Sequence, residues 1–271
     1  MGLVTATEDA TLSLPRILCL HGGGTNARIF RAQCRRLTVQ LQSEFRLVFA
    51  QAPFNSNAGP DVISVYGQWG PFKRWLRWKP EHPAARPEDI VYEIDQSLEE
   101  AMQQDDAQGA TGEWVALLGF SQGAKVAASL LYRQQLREEF LGQPGIGNSK
   151  FRFGVLLAGR APLISLDPSM AVTSDLPDAS QSTDVVALNK RALGHKRHVL
   201  RIPTIHVHGL QDKGMDMHRQ LFDEFCDPET RRIIEWDGDH RVPLKLKDVS
   251  PVVYQIRELA KETGVFRNYV L

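Results

Sequence analysis

The chain has 271 residues, 42% of them hydrophobic and 24% charged, the proportions of a folded globular protein and not of a disordered one. Its 32 Lys+Arg balance 32 Asp+Glu, so there is no basic excess with which to neutralise nucleic-acid phosphates. The length suits one large α/β domain over residues 1–271.

Three cysteines, Cys19, Cys34 and Cys226, cannot pair evenly and show no Cys-x-x-Cys spacing, which argues against a disulfide framework and against a zinc site. Residues 1–14 carry Glu8 and Asp9 and lack the basic start of a secretory signal. The apolar run 17–20 is too short to cross a bilayer. The expectation is a cytoplasmic protein with no membrane or nucleic-acid partner.

In chain order, a first strand is predicted at 17–20. Phe30, Cys34, Leu37 and Leu41 follow at helical spacing on one stripe. A second strand is predicted at 45–50. Pro87 suits a helix start, and Ile90, Ile94, Leu98 and Met102 continue at fours on one face. A strongly apolar strand at 114–120 runs into a small-residue helix from 123 to about 132. Strands at 151–157, 204–208 and 232–236 alternate with a helix at 217–225 and a last one marked by Val252, Ile256 and Leu259. That alternation predicts a mostly parallel sheet with helices on both faces. Two segments break it, one near 55–87 rich in Gly, Pro and Trp, and a polar one near 167–201. Both are long for connections and are read as lid-like insertions.

The strongest chemical signal is Gly119-Phe120-Ser121-Gln122-Gly123, a G-x-S-x-G at a strand-to-helix junction. Such a turn presents the serine at the sheet edge, and the helix N-terminus below it favours developing negative charge. A serine hydroxyl needs a base to remove its proton and a third group to orient that base. Asp212 follows the strand 204–208 and His240 follows the strand 232–236, so three loops of one sheet edge can converge. Asp216, Asp237 and Asp239 compete as the acid. Asp216 suits a helix start, and Asp237 and Asp239 flank His240 too closely to orient its ring easily. His206 and His208 share a strand face where metal ligation is conceivable, but no third ligand stands at a convincing spacing. His21-Gly22-Gly23-Gly24 follows the first strand, and a glycine run lets backbone amides approach a substrate oxygen. Gly23, with Gly24 as the alternative, and Gln122 are the candidate oxyanion-hole donors. No metal or cofactor is implied.

These marks resemble the fungal family of small serine hydrolases called FSH, a branch of the α/β-hydrolase fold. They run from Leu18-Cys19-Leu20-His21-Gly22-Gly23-Gly24-Thr25-Asn26, through Ala52-Pro53 and the Ser121 motif, to Gly209-Leu210-Gln211-Asp212 and Gly238-Asp239-His240-Arg241-Val242-Pro243. The stretch Ala52-Pro53-Phe54 with Gly59-Pro60, Gly70-Pro71-Phe72 and Trp75 is similar to the thioesterases and hydrolases of fungal polyketide gene clusters. The resemblance implies a catalytic Ser121, Asp212 and His240, and an acyl ester or thioester substrate presented by an acyl-carrier protein.

Trp69, Phe72, Trp75 and Trp78 recur at threes. They read equally as an aromatic wall for an apolar acyl chain, with Trp69, Phe72 and Trp75 as substrate contacts, or as a satellite core beneath a long loop. Lys73, Arg74, Arg77 and Lys79 suit an acidic carrier or a solvated face. The function expected is acyl hydrolysis. Acyl transfer by the same residues and a silent binding protein on the same scaffold are the alternatives.

Overall fold

The computed structural model describes residues 9–60, 62–167, 169–181 and 198–268. Six strands form one sheet: β1 (Arg16–Leu20), β2 (Arg46–Ala50), β5 (Trp114–Phe120), β6 (Phe153–Leu157), β7 (Thr204–Gly209) and β8 (Arg231–Trp236). Their order is β2-β1-β5-β6-β7-β8, and every pairing is parallel. β1, β5 and β6 are buried throughout and apolar at nearly every position, as a sheet covered on both faces requires.

Alternation within the strands sorts the core. Leu18 and Leu20 join the cluster beneath α4 (Pro87–Ala107), α5 (Gln122–Leu141) and α6 (Met215–Phe225). Ile17 and Cys19 face the opposite cluster, with α1 (Ala27–Gln33), α2 (Arg35–Leu41) and α7 (Leu246–Glu262). The chain moves outward from β1 to β2 and then resumes on the other side with β5. That reversal opens a crevice above the C-terminal ends of β1 and β5, where open α/β sheets place their sites.

Two elements differ from expectation. The stripe Phe30–Leu41 is two helices that meet at Cys34, whose ψ of 4° bends the path. α5 runs to Leu141 rather than ending near Tyr132. Arg133, Gln134 and Gln135 hide the pattern because they are polar yet buried, each bonded to a partner: Asp95, the Phe151 backbone and the Val199 carbonyl.

The insertion near 55–87 is built on an antiparallel hairpin of β3 (Phe54–Ser56) and β4 (Phe72–Arg74), with the short α3 (Ile63–Tyr66) between them. The insertion near 167–201 lies partly outside the described residues. No helix among the described residues is long and apolar enough to cross a membrane.

Candidate active site

Ser121 occupies the turn from β5 to α5 at φ 53°, ψ −114°. A residue with a Cβ holds such a backbone at a cost of about 1–3 kcal/mol, which the surroundings must impose. Close approach of the chain on either side imposes it here. A Cβ on Gly119 would stand 2.4 Å from the Gly123 carbonyl oxygen, and one on Gly123 would stand 2.1 Å from that of Leu20.

His240 Nε2 lies 2.9 Å from Ser121 Oγ, and His240 Nδ1 lies 2.5 Å from Asp212 Oδ2. A carboxylate can only accept, so Nδ1 carries the proton and Nε2 turns its lone pair to the serine hydroxyl. Asp212 sits in the loop after β7 and His240 in the loop after β8, and residues 204–209 and 231–236 pair in parallel register. Phe120 packs on the His240 ring at 5.1 Å between centroids.

Asp212 is 1% exposed in its side chain. Burial alone would raise its carboxyl, but the imidazoles of His218 and His240 and the Gly214 amide outweigh burial and hold it well below the usual carboxylate range. It is therefore anionic throughout the neutral range.

His218 was not singled out from sequence, although His218, Leu221 and Phe225 share the buried face of α6 at spacings of three and four. Its Nδ1 donates to the Gly159 carbonyl at 2.9 Å, and its Nε2 stands 2.9 Å from Asp212 Oδ2, out of line for a hydrogen bond. Its ring lies parallel to that of His240, 10° apart. Arg160 completes the surroundings of Asp212, 4.0 Å from Oδ1. The ligand atoms of Asp212, His218 and His240 lie within 4.8 Å of one another, so a divalent ion could be chelated there only by displacing the His240–Asp212 bond.

The competing acids are occupied elsewhere. Asp237 accepts from Gln211, Asp239 pairs with Arg241, and Asp216 lies in the first turn of α6. His206 and His208 are fully buried against Phe222, and His206 bonds Thr204.

The Gly24 amide donates to the Lys73 carbonyl at 2.9 Å, in a backbone of φ +73° where a Cβ would collide with Gly59 at 2.4 Å. That amide is committed to the hairpin. Neither the Gly23 amide nor that of Gln122, the first helical residue, has an acceptor among the described residues.

The Gln122 side chain reaches the other way: its Oε1 accepts from the Trp75 and Leu76 amides, and its Nε2 donates to the Leu76 carbonyl. Trp75, read as a substrate contact, is instead 0% exposed, with its indole N–H spent on the His21 carbonyl. It is a core residue that ties the insertion to the glycine loop. Trp69 and Phe72 are partly exposed. Arg28 stacks on Trp69 at 4.3 Å, and Asn26 Nδ2 donates to the Trp69 carbonyl. Trp78 borders the glycine run, its Nε1 buried without a partner and 3.4 Å from where a Gly23 Cβ would stand.

An open parallel sheet that lifts a serine on a strained strand-to-helix turn is the architecture of the α/β-hydrolases, and the protein is a serine hydrolase of that fold. More particularly, the chain belongs to the serine hydrolase (FSH1) family, whose model matches residues 11–252. It is 66% identical to Esterase claE of Penicillium crustosum, over 98% of this chain and 100% of that one. It is also 66% identical to Esterase citA of Monascus ruber, over 94% of this chain and 96% of that one. Among solved structures, that of Arabidopsis thaliana SOBER1 aligns at 20% identity and a TM-score of 0.45, over 91% of this chain and 99% of that one.

Proposed function

We propose that the protein cleaves an acyl ester or thioester through an acyl-enzyme on Ser121. His240 takes the hydroxyl proton through Nε2 as Ser121 attacks the carbonyl carbon, and Asp212 holds the imidazole in the required tautomer. His240 returns that proton to the departing alcohol or thiol. A water deprotonated by the same nitrogen then releases the acid and restores the serine. The amides of Gln122 and Gly23 receive the oxyanion, each worth about 3–4 kcal/mol of transition-state stabilisation. The observation that carries this reading is the continuous line Ser121 Oγ–His240 Nε2, His240 Nδ1–Asp212 Oδ2.

The substrate class we propose is a polyketide acyl chain in fungal secondary metabolism, released from or edited on its carrier protein in the cytoplasm. Resemblance to the polyketide-cluster branch supports it, as do the fungal esterases at 66% identity. Three buried, unbridged cysteines suit a reducing compartment.

Replacing Ser121 with Ala should lower turnover of a p-nitrophenyl ester by on the order of 10⁶-fold and abolish labelling by a fluorophosphonate. Persistent labelling would identify a different nucleophile. Intact-mass spectrometry after incubation with acyl-carrier and oxygen-ester substrates reads the attached acyl group directly. Acylation by oxygen esters alone would reject the carrier.

A further inference from the structure

Among the described residues, two of the three buried arginines are neutralised by carboxylates. Arg16 pairs with Asp105 and Asp106, and Arg133 with Asp95. Arg74, at the end of β4, is the departure. It is 6% exposed, its Nε has no hydrogen-bond partner, and no carboxylate pairs with it among the described residues. The charged neighbour that acts on it is a second cation, Arg77, whose Nε is also buried and unpartnered while its Nη2 donates to the Pro80 carbonyl. Burial and Arg77 together pull the Arg74 pKa down, the direction expected when a cation lacks a counter-charge. Stacking on Phe54, with the guanidinium carbon 5.0 Å from the ring centroid, offsets only part of the cost of burying that charge.

Both arginines are among the residues that line a pocket of about 280 Å³. Asn55 adds an amide, while Phe54, Pro83 and Ile90 supply apolar walls; Ser121, Asp212 and His240 take no part in the lining. Guanidinium forks match the paired oxygens of carboxylates and phosphates. Apolar walls beside them suit a hydrocarbon body behind the anion. Position gives the pocket a relation to the reaction. Arg74 stands between Lys73, whose carbonyl holds the Gly24 amide, and Trp75, whose amide is held by Gln122.

We propose that this pocket is a binding subsite for the anionic portion of a ligand, a carboxylate or phosphate carried on an apolar body. Bound there, the anion supplies the counter-charge that the fold withholds from Arg74 and Arg77. The proposal does not depend on the chemistry at Ser121.

Calorimetric titration of the Ser121→Ala protein tests it with four probes: hexanoate, hexyl phosphate, inorganic phosphate and hexanol. One of the two six-carbon anions should bind with 1:1 stoichiometry, at least tenfold tighter than inorganic phosphate and hexanol. Arg74→Gln and, separately, Arg77→Gln should each weaken that binding at least tenfold. A preference for hexanoate assigns the anion to a carboxylate, and the reverse preference to a phosphate. Arg77 is only partly buried, so Arg77→Gln carries the test if circular dichroism shows that Arg74→Gln does not fold. Hexanol binding as tightly as the anions, or anion binding indifferent to the substitutions in the folded variants, overturns the proposal. Ester hydrolysis by the unmutated protein is measured separately, so failure here leaves the reading of Ser121 standing.

Discussion

Asp212 meets two imidazoles, a backbone amide and a guanidinium while almost wholly enclosed. His218 is the second imidazole, anchored from behind by the Gly159 carbonyl, so it limits how far Asp212 can turn away from His240. A displacement of about 1 Å in catalytic geometry can cost on the order of 10²-fold in rate. His218→Asn should therefore lower kcat for a p-nitrophenyl ester by roughly 10- to 100-fold with little change in KM. An unchanged kcat would mean that His240 alone suffices to hold the carboxylate. Ser121, Asp212 and His240 could be picked out in the sequence because each stands just past an apolar strand, and strand ends of a parallel sheet share one edge. His218 could not, since what it meets depends on contacts across the sheet. The same holds for Gly23 against Gly24, which only the docking of β4 tells apart.

The β3–β4 hairpin is fastened to the sheet by hydrogen bonds that no local pattern encodes. Gln122 answers three backbone groups of Trp75 and Leu76, Gly24 and Thr25 bond Lys73, and Asn26 holds the carbonyls of Trp69 and Pro71. Gln122→Ala leaves two amides of a partly buried segment unanswered, a loss of about 1–3 kcal/mol per group. Thermal unfolding should fall accordingly, and kcat/KM should fall with it although the Gln122 amide is untouched. Loss of stability alone would separate the hairpin from the reaction. Helices were legible where an apolar stripe faced the sheet, as in α4 with Ile90, Ile94, Leu98 and Met102. α5 escaped beyond Tyr132 because Arg133, Gln134 and Gln135 are buried polar residues answered by groups outside the helix, and hydropathy does not register that device.

The alternation of apolar strands with helical stripes made the parallel sheet legible, but not its order, in which β5 returns to lie beside β1. The charges beneath the sheet were not legible either. Arg16 and Arg46 both reach Asp105, which is 4% exposed, near the N-terminal ends of β1 and β2. Asp105→Ala leaves Arg16 only Asp106 and Arg46 only Asp9, and should cost about 1–3 kcal/mol in denaturant unfolding; a loss below about 0.5 kcal/mol would show that Asp9 and Asp106 carry the site.

Buried histidines set the acid limit. Burial drops His21 and His208 to about 4 and His206 well below its ordinary value. Folded, these rings stay neutral while the unfolded chain takes up protons below about 6.5, so stability is full above that pH and is lost as pH falls toward 4. Each contributes up to about 1.4 kcal/mol per pH unit within that window. Melting temperatures should stay level from pH 8 to 7 and decline below 6.5. His208→Phe, which removes two unpartnered ring nitrogens, should make the decline shallower; an equally steep decline would place the acid sensitivity elsewhere.

The stitching of residues 72–76 to the glycine run has a practical corollary. Anyone trimming that hairpin would also slacken the Gly24 and Gln122 segments bonded to it, so on the mechanism proposed above a change in the hairpin should alter rate along with selectivity. Grafts between relatives will succeed only when both segments travel together.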